Sequence, residues 1–282
     1  MKLIATLILL LSLFTTVLSE SQQLSKANRK TKSSVNEVNS FNQYYPNFLG
    51  NRWVLRSSVE PIEEHVVEIT LKEVIAGQEV NVLTRHSHTG TDTFYIANFD
   101  DGVKVYHSEG NIGFFGNITF DYVPPETLIP FPLEVGTIWE VFGKTMVNQF
   151  ELSANTVSTV VTMEDVTVPA GTFHNCLFIR QQHNITSVIK ISPTGGIWLA
   201  PKVGLVKEMN TSGVIFELVE YELFYPWDVN HDMTVDLRDV IIVSSHFGEA
   251  VAGTTDNLDL NGDGVVDISD VVLIGNHFGE TY

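Results

Sequence analysis

The sequence predicts a mainly β protein, in which a barrel- or sandwich-like domain is followed by a small helical module with two metal-binding loops. Two observations carry this prediction. From residue 44 to residue 225 the chain consists of short β-branched and aromatic runs cut by turn-forming residues, without a sustained helical period. From residue 226 to residue 282 a segment of 22 residues occurs twice.

The N-terminal residues predict export. Lys2 precedes a mostly apolar run of 16 residues from Leu3 to Leu18. Such a run is typical of a secretory signal peptide, whereas a membrane-spanning helix needs about 20 residues. We therefore expect a signal peptide over residues 1–19, with a non-cleaved anchor as the alternative, and a flexible polar linker over residues 20–43. No integral membrane span is expected after cleavage, so the product would be secreted or held at the cell surface.

Charge excludes two classes of partner. The chain has 34 acidic and 16 basic residues, for a net charge of −18. Residues 226–282 contain 11 acidic residues and one basic residue, Arg238, for a net charge of −10. Nucleic acids and anionic membranes are repelled by such a surface, so neither is predicted as a partner.

The region 44–225 reads as an all-β domain of unknown function. Asp100-Asp101-Gly102 indicates a hairpin between two strand-like runs. The predicted strands cover residues 53–59, 66–74, 79–85, 92–97, 103–107, 113–122, 138–141, 149–152, 157–163, 177–183, 187–191, 204–209 and 213–221.

One element recurs within the β region. Pro46, Gly50 and Trp53 return as Pro132, Gly136 and Trp139, at an offset of 86 residues. A turn followed by a Trp that enters the next strand would be the same element used twice. Two similar halves that share one core predict a barrel or a sandwich.

No catalytic motif can be identified in this β region. It has no G-x-S-x-G and no H-E-x-x-H pattern, and His86-x-His88 has no partner that would complete a zinc site. Its acidic residues cannot be paired into a glycosidase site from sequence. We favour a non-catalytic domain. The alternatives are a hydrolase that acts on glycosidic bonds and a carrier whose aromatic residues line a pocket for a glycan or a small apolar ligand.

The repeated segments begin at Asp228 and Asp259, and they match at 11 of 22 positions. Each opens with oxygen-bearing side chains at positions 1, 3, 5, 9 and 12, and position 7 supplies a backbone carbonyl, which is the ligand pattern of a calcium-binding loop. The sequence predicts two bound Ca²⁺ ions. The predicted ligands are Asp228, Asn230, Asp232, Thr234, Asp236 and Asp239 in the first loop, and Asp259, Asn261, Asp263, Val265, Asp267 and Asp270 in the second.

One helix is predicted after each loop, with an apolar stripe at offsets 0, +3 and +7. No helical pattern precedes either loop, so the unit is not an ordinary helix-loop-helix pair. Gly248 and Gly279 stand where a helix end favours a positive φ. The predicted stripes consist of Val240, Val243 and Phe247 in the first copy and of Val271, Ile274 and Phe278 in the second.

With these loops and single helices, residues 226–282 resemble a dockerin module with type I repeats. The resemblance implies two Ca²⁺ ions and docking onto a cohesin-type receptor, in a polysaccharide-degrading assembly or a related cell-surface complex. It also implies cohesin contacts at loop position 11 and one to two turns later. Those positions hold Arg238, Ser244 and Ser245 in the first copy, and Ser269, Gly275 and Asn276 in the second.

The β region is similar to secreted domains of the DUF3108 and TapB type. Three phrases carry this resemblance: the opening from Tyr44 to Trp53, the segment 166–173 and the segment 198–207. It implies a barrel-like fold and no particular activity. Because only a short joint separates this region from the module, Trp227 could also pack the module against its own β domain as a calcium-stabilised cap.

Overall fold

The structure, a computed structural model, describes residues 43–111, 117–147, 149–187, 190–250 and 258–282. The expected signal peptide, nearly all of the expected linker, four residues of the predicted strand 113–122 and two residues of the predicted strand 187–191 lie outside these ranges. The chain divides into two compact units, one ending at Glu222 and the other beginning at Leu223. The first is all β, and the second contains the two loops and their helices.

The first half of the β unit is a meander of six strands, each paired antiparallel with the next. The predicted hairpin at Asp100 and Asp101 connects the fourth strand to the fifth, with Gly102 at φ 151°. The strands are β1 (Arg52–Ser57), β2 (Glu64–Ile75), β3 (Gln78–Ser87), β4 (Gly90–Phe99), β5 (Gly102–Asn111) and β6 (Asn117–Pro130).

The second half is a similar meander, and the pairing of the first strand with the last joins the two halves into one sheet. Its strands are β7 (Ile138–Val147), β8 (Phe150–Val168), β9 (Gly171–Thr186), β10 (Lys190–Ile191), β11 (Thr194–Ala200), β12 (Gly204–Met209) and β13 (Ile215–Glu222). Short β10 pairs only with β9. The sheet order begins at β6 and ends at β7, and these two strands lie side by side. The predicted fold class, a mainly β barrel-like domain followed by a small helical module, is therefore confirmed.

The predicted repeat within the β unit has a structural basis. Gly50 and Gly136 adopt φ of 94° and 96°, two residues before β1 and β7 begin. Gly50 N–H donates to the Ile69 carbonyl at 2.8 Å, and Gly136 N–H donates to the Val160 carbonyl at 2.8 Å. Since an L side chain is strained at such φ values, glycine is the residue that permits this turn twice. Each half of the barrel thus begins with the same hydrogen-bonded turn.

The barrel interior is lined by side chains that alternate along the strands, because successive residues of a strand point to opposite faces. Eight of the largest interior side chains are at most 1% exposed. They are Leu55, Ile69, Ile96, Leu177, Ile179, Leu199, Phe216 and Leu218. This interior is the core of the β unit.

Two sequence predictions for the strands were wrong. Strand β11 was missed because Gly195-Gly196 reads as a turn. In the structure a Cβ on Gly196 would lie 2.6 Å from the Phe178 ring, so glycine is needed for close packing within a strand. Two separate strands were predicted at 149–152 and 157–163, but they form the single strand β8, whose polar middle includes the buried residues Asn155 and Thr156.

The described part of the C-terminal unit has two helices of equal length, α1 (Leu237–Ser245) and α2 (Ile268–Asn276). Each begins with a capping box, formed by Asp236 with Asp239 and by Asp267 with Asp270. In each loop the aspartate at position 9 is the N-cap of the helix, and the aspartate at position 12 completes the capping box.

The helices end earlier than the apolar stripe predicts. Gly248 and Gly279 have φ of 84° and 85°, as expected after a helix end. Val243 and Ile274 are fully buried, but Phe247 and Phe278 are 46% and 57% exposed. Because α1 ends at Ser245 and α2 at Asn276, an offset of +7 no longer follows a helical face. The predicted stripes therefore end at Val243 and Ile274, and the two phenylalanines lie beyond the helices.

Candidate metal loops and exposed helix faces

The first and last residues of each loop are buried carboxylates. Asp228 accepts hydrogen bonds from the backbone N–H groups of Asp232 and Met233, at 3.2 and 2.9 Å. Asp239 accepts from the N–H groups of Asn230 and Asp236, at 3.2 and 2.8 Å. The loop backbone is therefore wrapped around these two carboxylates, both of which lie out of contact with solvent.

The second loop repeats this arrangement. Asp259 accepts from the N–H groups of Asp263 and Gly264, at 3.0 and 2.7 Å. Asp270 accepts from the N–H groups of Asn261 and Asp267, at 3.2 and 2.8 Å. The repeated sequence thus gives a repeated hydrogen-bond pattern, position by position.

Positions 3 and 5 of each loop shape the turn between these ends. The Asn230 side-chain oxygen accepts from Asp232 N–H at 2.8 Å, and Asp232 accepts from Thr234 N–H at 3.1 Å. The corresponding bonds of the second loop measure 2.8 and 3.0 Å. Such Asx turns point side-chain oxygens toward the inside of the loop.

The electrostatics of the two loops differ at one position. In the first loop the Arg238 guanidinium lies 2.9 Å from an Asp232 carboxylate oxygen and 3.7 Å from an Asp236 oxygen. In the second loop the residue at that position is Ser269. Burial raises the pKa of Asp228, and the neighbouring carboxylates of Asp239 and Asp232 raise it further. Each loop therefore concentrates negative charge that a cation would stabilise.

The donor chemistry of both loops fits Ca²⁺. The predicted ligands are carboxylate, amide and backbone carbonyl oxygens, which hard cations prefer over nitrogen and sulfur. In the part of the chain that the structure describes, no three His, Cys, Asp or Glu side chains converge on one point. The carboxylates are hydrogen-bonded to loop N–H groups instead. The residues suit the ion by type and order along the chain, and the ion would compete with these amides for some of the same oxygens.

The loops are unequal in backbone strain. At positions 4 and 6 the first loop has His231 and Met233, with φ of 57° and 66°. The second loop has Gly262 and Gly264 there, with φ of 74° and 94°. A side chain at such φ values is strained by about 1–2 kcal/mol, whereas glycine is not. The second loop is the less strained of the two.

Each loop pairs with the chain that follows the opposite helix. Val235 N–H donates to the Glu280 carbonyl at 3.0 Å, and Gly279 N–H donates back to Val235 at 2.8 Å. Val266 N–H donates to Glu249 at 3.1 Å, and Gly248 N–H donates to Val266 at 2.9 Å. These exchanged bonds couple the two loops within one module.

The residues predicted to contact a cohesin are all exposed in the structure. They are Arg238, Ser244, Ser245, Ser269, Gly275 and Asn276. Sequence reasoning missed four apolar residues on the same helices. Leu237 and Ile241 of α1 are 60% and 57% exposed, and Ile268 and Val272 of α2 are 62% and 55% exposed. The sequence contains a signal for this exposed face, because both copies have an apolar residue at positions 10 and 14, counted from the first loop residue. An offset of four places the two residues on one helix face.

Among the described residues, the histidine pair of the β unit does not belong to a cluster of three or more possible zinc ligands. His86 Nδ1 lies 2.9 Å from the Thr91 hydroxyl, while His88 Nδ1 lies 3.2 Å from a Glu63 oxygen. Both imidazoles are about half exposed. The two side chains have separate partners on the described surface.

Comparison with known families matches two parts of the chain. Residues 226–279 match the family model of the dockerin type I domain, and residues 143–212 match that of the DUF3108-like domain. No curated protein matches the chain. Within the described residues, no helix has the length and apolar character needed to cross a membrane.

Two solved structures share similarity with the chain. One is a candidate lipoprotein from Parabacteroides distasonis, with 13% identity and a TM-score of 0.42, covering 64% of this chain and 98% of its own. The other is a candidate exported protein with a YmcC-like fold from Bacteroides fragilis, with 14% identity and a TM-score of 0.34, covering 64% of this chain and 99% of its own. The two resemblances predicted from the sequence are confirmed: the C-terminal module is similar to type I dockerin domains, and the second half of the barrel is similar to DUF3108-like domains.

Proposed function

We propose that this protein is an exported, dockerin-type calcium-binding protein that docks a non-catalytic β domain onto a cohesin-bearing complex outside the cell or at the cell surface. The observation that carries this proposal is the matched pair of loop-helix units, which have the same hydrogen bonds and present equivalent exposed faces. Residues 1–19 would serve as the signal peptide and residues 20–43 as the linker. The β domain would extend over residues 44–225 and the module over residues 226–282.

Calcium would be held by the loop oxygens that the sequence predicts. When bound, the ion would neutralise the clustered carboxylates and hold each loop against the start of its helix. The buried carboxylates at positions 1 and 12 already gather the loop backbone, and the capping boxes fix where α1 and α2 begin. Folding of the module would therefore be coupled to the ion.

The docking surface would be an apolar pair on one helix with polar residues around it. On α1, Leu237 and Ile241 stand beside Arg238 and the two serines. On α2, Ile268 and Val272 stand beside Ser269, with Gly275 and Asn276 further along. An apolar centre with a polar rim is the usual composition of a protein interface.

The exposed faces of α1 and α2 have equivalent apolar centres, but the polar residues around those centres differ. Arg238 in the first copy corresponds to uncharged Ser269 in the second. A receptor with an acidic patch would favour the α1 face, and one with an uncharged rim would favour the α2 face. We infer that one orientation of the module dominates in binding. The setting would be polysaccharide degradation or a related cell-surface assembly.

An affinity pull-down from the host's secreted fraction tests this function. The tagged full chain is incubated with and without a calcium chelator, and captured proteins are identified by mass spectrometry. Recovery of a cohesin-bearing protein only in Ca²⁺ supports docking. Recovery of the same proteins after chelation contradicts it.

Two single variants locate the surface, Ile241→Glu on α1 and Val272→Glu on α2. Val74→Glu is the control, because Val74 is an exposed apolar residue of the β unit, with 71% of its surface accessible. We expect one helix variant to lose the cohesin-bearing protein, while the control retains it. Wild-type recovery by both helix variants would exclude the helix faces as the docking surface.

A further inference from the structure

The barrel of the β unit contains a cavity of about 120 Å³. Its walls come from both halves of the barrel and are mostly apolar. The apolar lining includes Val67, Ile69, Leu83, Phe94, Leu128 and Leu199. Benzene binds in an apolar cavity of about 150 Å³, so a cavity of about 120 Å³ is close to the smallest that one such ring could enter.

One part of the cavity wall is an ion pair. Arg85 of β3 and Glu208 of β12 both line the cavity, and Arg85 Nη2 lies 2.6 Å from Glu208 Oε1. Their side chains are 14% and 6% exposed. The same Nη2 atom lies 2.7 Å from Nδ1 of His65, a fully buried imidazole stacked on Phe216.

The pair leaves hydrogen-bonding capacity unused. Within the described residues, Glu208 Oε2 is buried without a hydrogen-bond partner. His65 Nδ1 lies 3.9 Å from this oxygen, which is too far for a hydrogen bond. The hydrogen bonds of Arg85 to Glu208 and His65 both use Nη2, and a guanidinium has five N–H donors. A buried acceptor without a donor is unfavourable, and a suitable ligand group would supply the missing donor.

Three uncharged polar side chains extend the polar part of the wall. Thr156 and Ser158 of β8 and Gln181 of β9 line the cavity and are at most 5% exposed. Thr156 is engaged with His183 Nδ1 at 2.9 Å. A molecule in the cavity would therefore meet an apolar wall and a polar wall together.

The charges in the wall select for an uncharged ligand. Arg85 and Glu208 neutralise each other, and burial lowers the pKa of His65, so its imidazole is neutral. A charged ligand would lose its hydration without gaining an unpaired counter-charge. A hydroxyl group can donate to Glu208 Oε2 and accept from an N–H group of Arg85 other than those on Nη2, which hold both of its side-chain hydrogen bonds within the described residues.

We propose that this cavity binds a small, uncharged amphipathic molecule with an apolar body about the size of a benzene ring and a hydroxyl group that hydrogen-bonds to Glu208 and Arg85. The site lies in the β unit and does not depend on the docking function of the C-terminal module. It would make the β unit a carrier or sensor of such molecules.

Ligand-observed NMR titration of the full chain with three probes tests the proposal. The probes are benzyl alcohol, toluene and benzylamine, which share a body and differ in the polar group. We expect benzyl alcohol to bind about tenfold more tightly than toluene, because a hydrogen bond to a charged group is gained. Benzylamine should bind more weakly than benzyl alcohol, since its charge must be desolvated. Absence of benzyl alcohol binding, or a preference for toluene or benzylamine, would overturn the proposal.

Two variants on one strand locate the binding. Ser158→Ile places extra volume in the cavity, and Thr159→Ile places a similar side chain on the opposite face of β8. We expect the first to weaken benzyl alcohol about tenfold or more, and the second to leave the affinity unchanged. Equal affinity in both variants would show that the probe binds elsewhere and would overturn the assignment. Circular dichroism spectra that match the wild type establish that each variant is folded.

Discussion

The indole ring of Trp227 lies flat on the imidazole of His277, with ring centroids 3.4 Å apart and ring planes 1° apart. Trp227 immediately precedes the first loop, and His277 follows α2. Tyr225 stacks in the same way on Tyr282, with centroids 3.6 Å apart, and the Trp227 indole N–H donates to the Tyr282 hydroxyl. The start and the end of the module are thereby held together by two pairs of rings.

The Trp227–His277 stack should contribute measurably to the stability of the module. We expect a double-mutant cycle with Trp227→Leu and His277→Leu to give a coupling energy of about 0.5–1.5 kcal/mol, the usual range for stacked aromatic pairs. The measurement is chemical denaturation of the full chain in excess Ca²⁺, followed by backbone NMR signals of the module. Additive effects of the two substitutions would show that the rings touch without stabilising each other.

Calcium should bind the second loop more tightly than the first, because Met233 and His231 are strained where Gly264 and Gly262 are not. Calorimetric titration of the full chain should resolve two unequal sites. Met233→Gly should raise the affinity of the weaker site about fivefold to tenfold, which corresponds to about 1–1.4 kcal/mol. The matched control is Gly264→Met, which should weaken the tighter site. Two identical sites, or no response to Met233→Gly, would refute the strain argument.

Breaking the buried ion pair should destabilise the barrel strongly. Burial alone would raise the pKa of Glu208, but the charge of the neighbouring Arg85 outweighs it and lowers that pKa to about 2. Arg85→Met leaves this carboxylate buried without its partner, and we expect a loss of about 3–5 kcal/mol in the free energy of unfolding. The double variant Arg85→Met/Glu208→Leu should recover much of that loss in urea denaturation. A double variant as unstable as the sum of the single ones would contradict the pairing.

The stability of the barrel should fall in mild acid because of His183. Burial lowers the pKa of this imidazole to about 3, whereas an unfolded His titrates near 6.5. The unfolded state therefore takes up the proton first, so the contribution is present above about pH 6.5 and is lost as the pH falls toward 3.

The matched variant for this pH effect is His183→Gln. Between pH 7.5 and pH 5 we expect the wild-type barrel to lose about 2 kcal/mol more than the variant, measured as free energy of unfolding in urea. Other titrating groups, including His65, are common to both proteins and cancel in the comparison. Parallel pH dependence of the two proteins would show that His183 accepts a proton without loss of the fold.

The calcium loops could be predicted from the sequence because their determinants are local. All predicted ligands of one loop lie within twelve consecutive residues. The second copy has the same residue type as the first at positions 1, 3, 5, 9 and 12, which supports the prediction for both loops. The repeated turn was predictable for the same reason, since Gly50 and Trp53 recur at the same spacing as Gly136 and Trp139. The exposure of Phe247 was not, because the length of a helix depends on where packing ends it.

The polar part of the barrel cavity could not be predicted from the sequence. Arg85 and Glu208 are 123 positions apart and meet only because β3 and β12 face one interior. Strand β11 was hidden by Gly195 and Gly196, whose role depends on a Phe178 ring supplied by the neighbouring strand. In both cases the contact is made between strands that the sheet order brings together, and no local sequence pattern predicts that order.

The side-by-side position of β6 and β7 gives the barrel one seam that differs from all its other strand junctions. Across it, the Phe120 ring lies 2.7 Å from the position that a Cβ of Gly143 would occupy, and the Trp139 indole N–H donates to the Leu128 carbonyl at 2.9 Å. The neighbouring strands elsewhere along the described sheet are joined by backbone hydrogen bonds, each of which contributes about 1 kcal/mol to the free energy of unfolding. Parting the seam disrupts side-chain contacts and leaves those ladders intact. Leu128 and Val141 flank the seam and also line the cavity, so opening of the barrel along this line would connect the cavity to solvent without breaking a strand ladder.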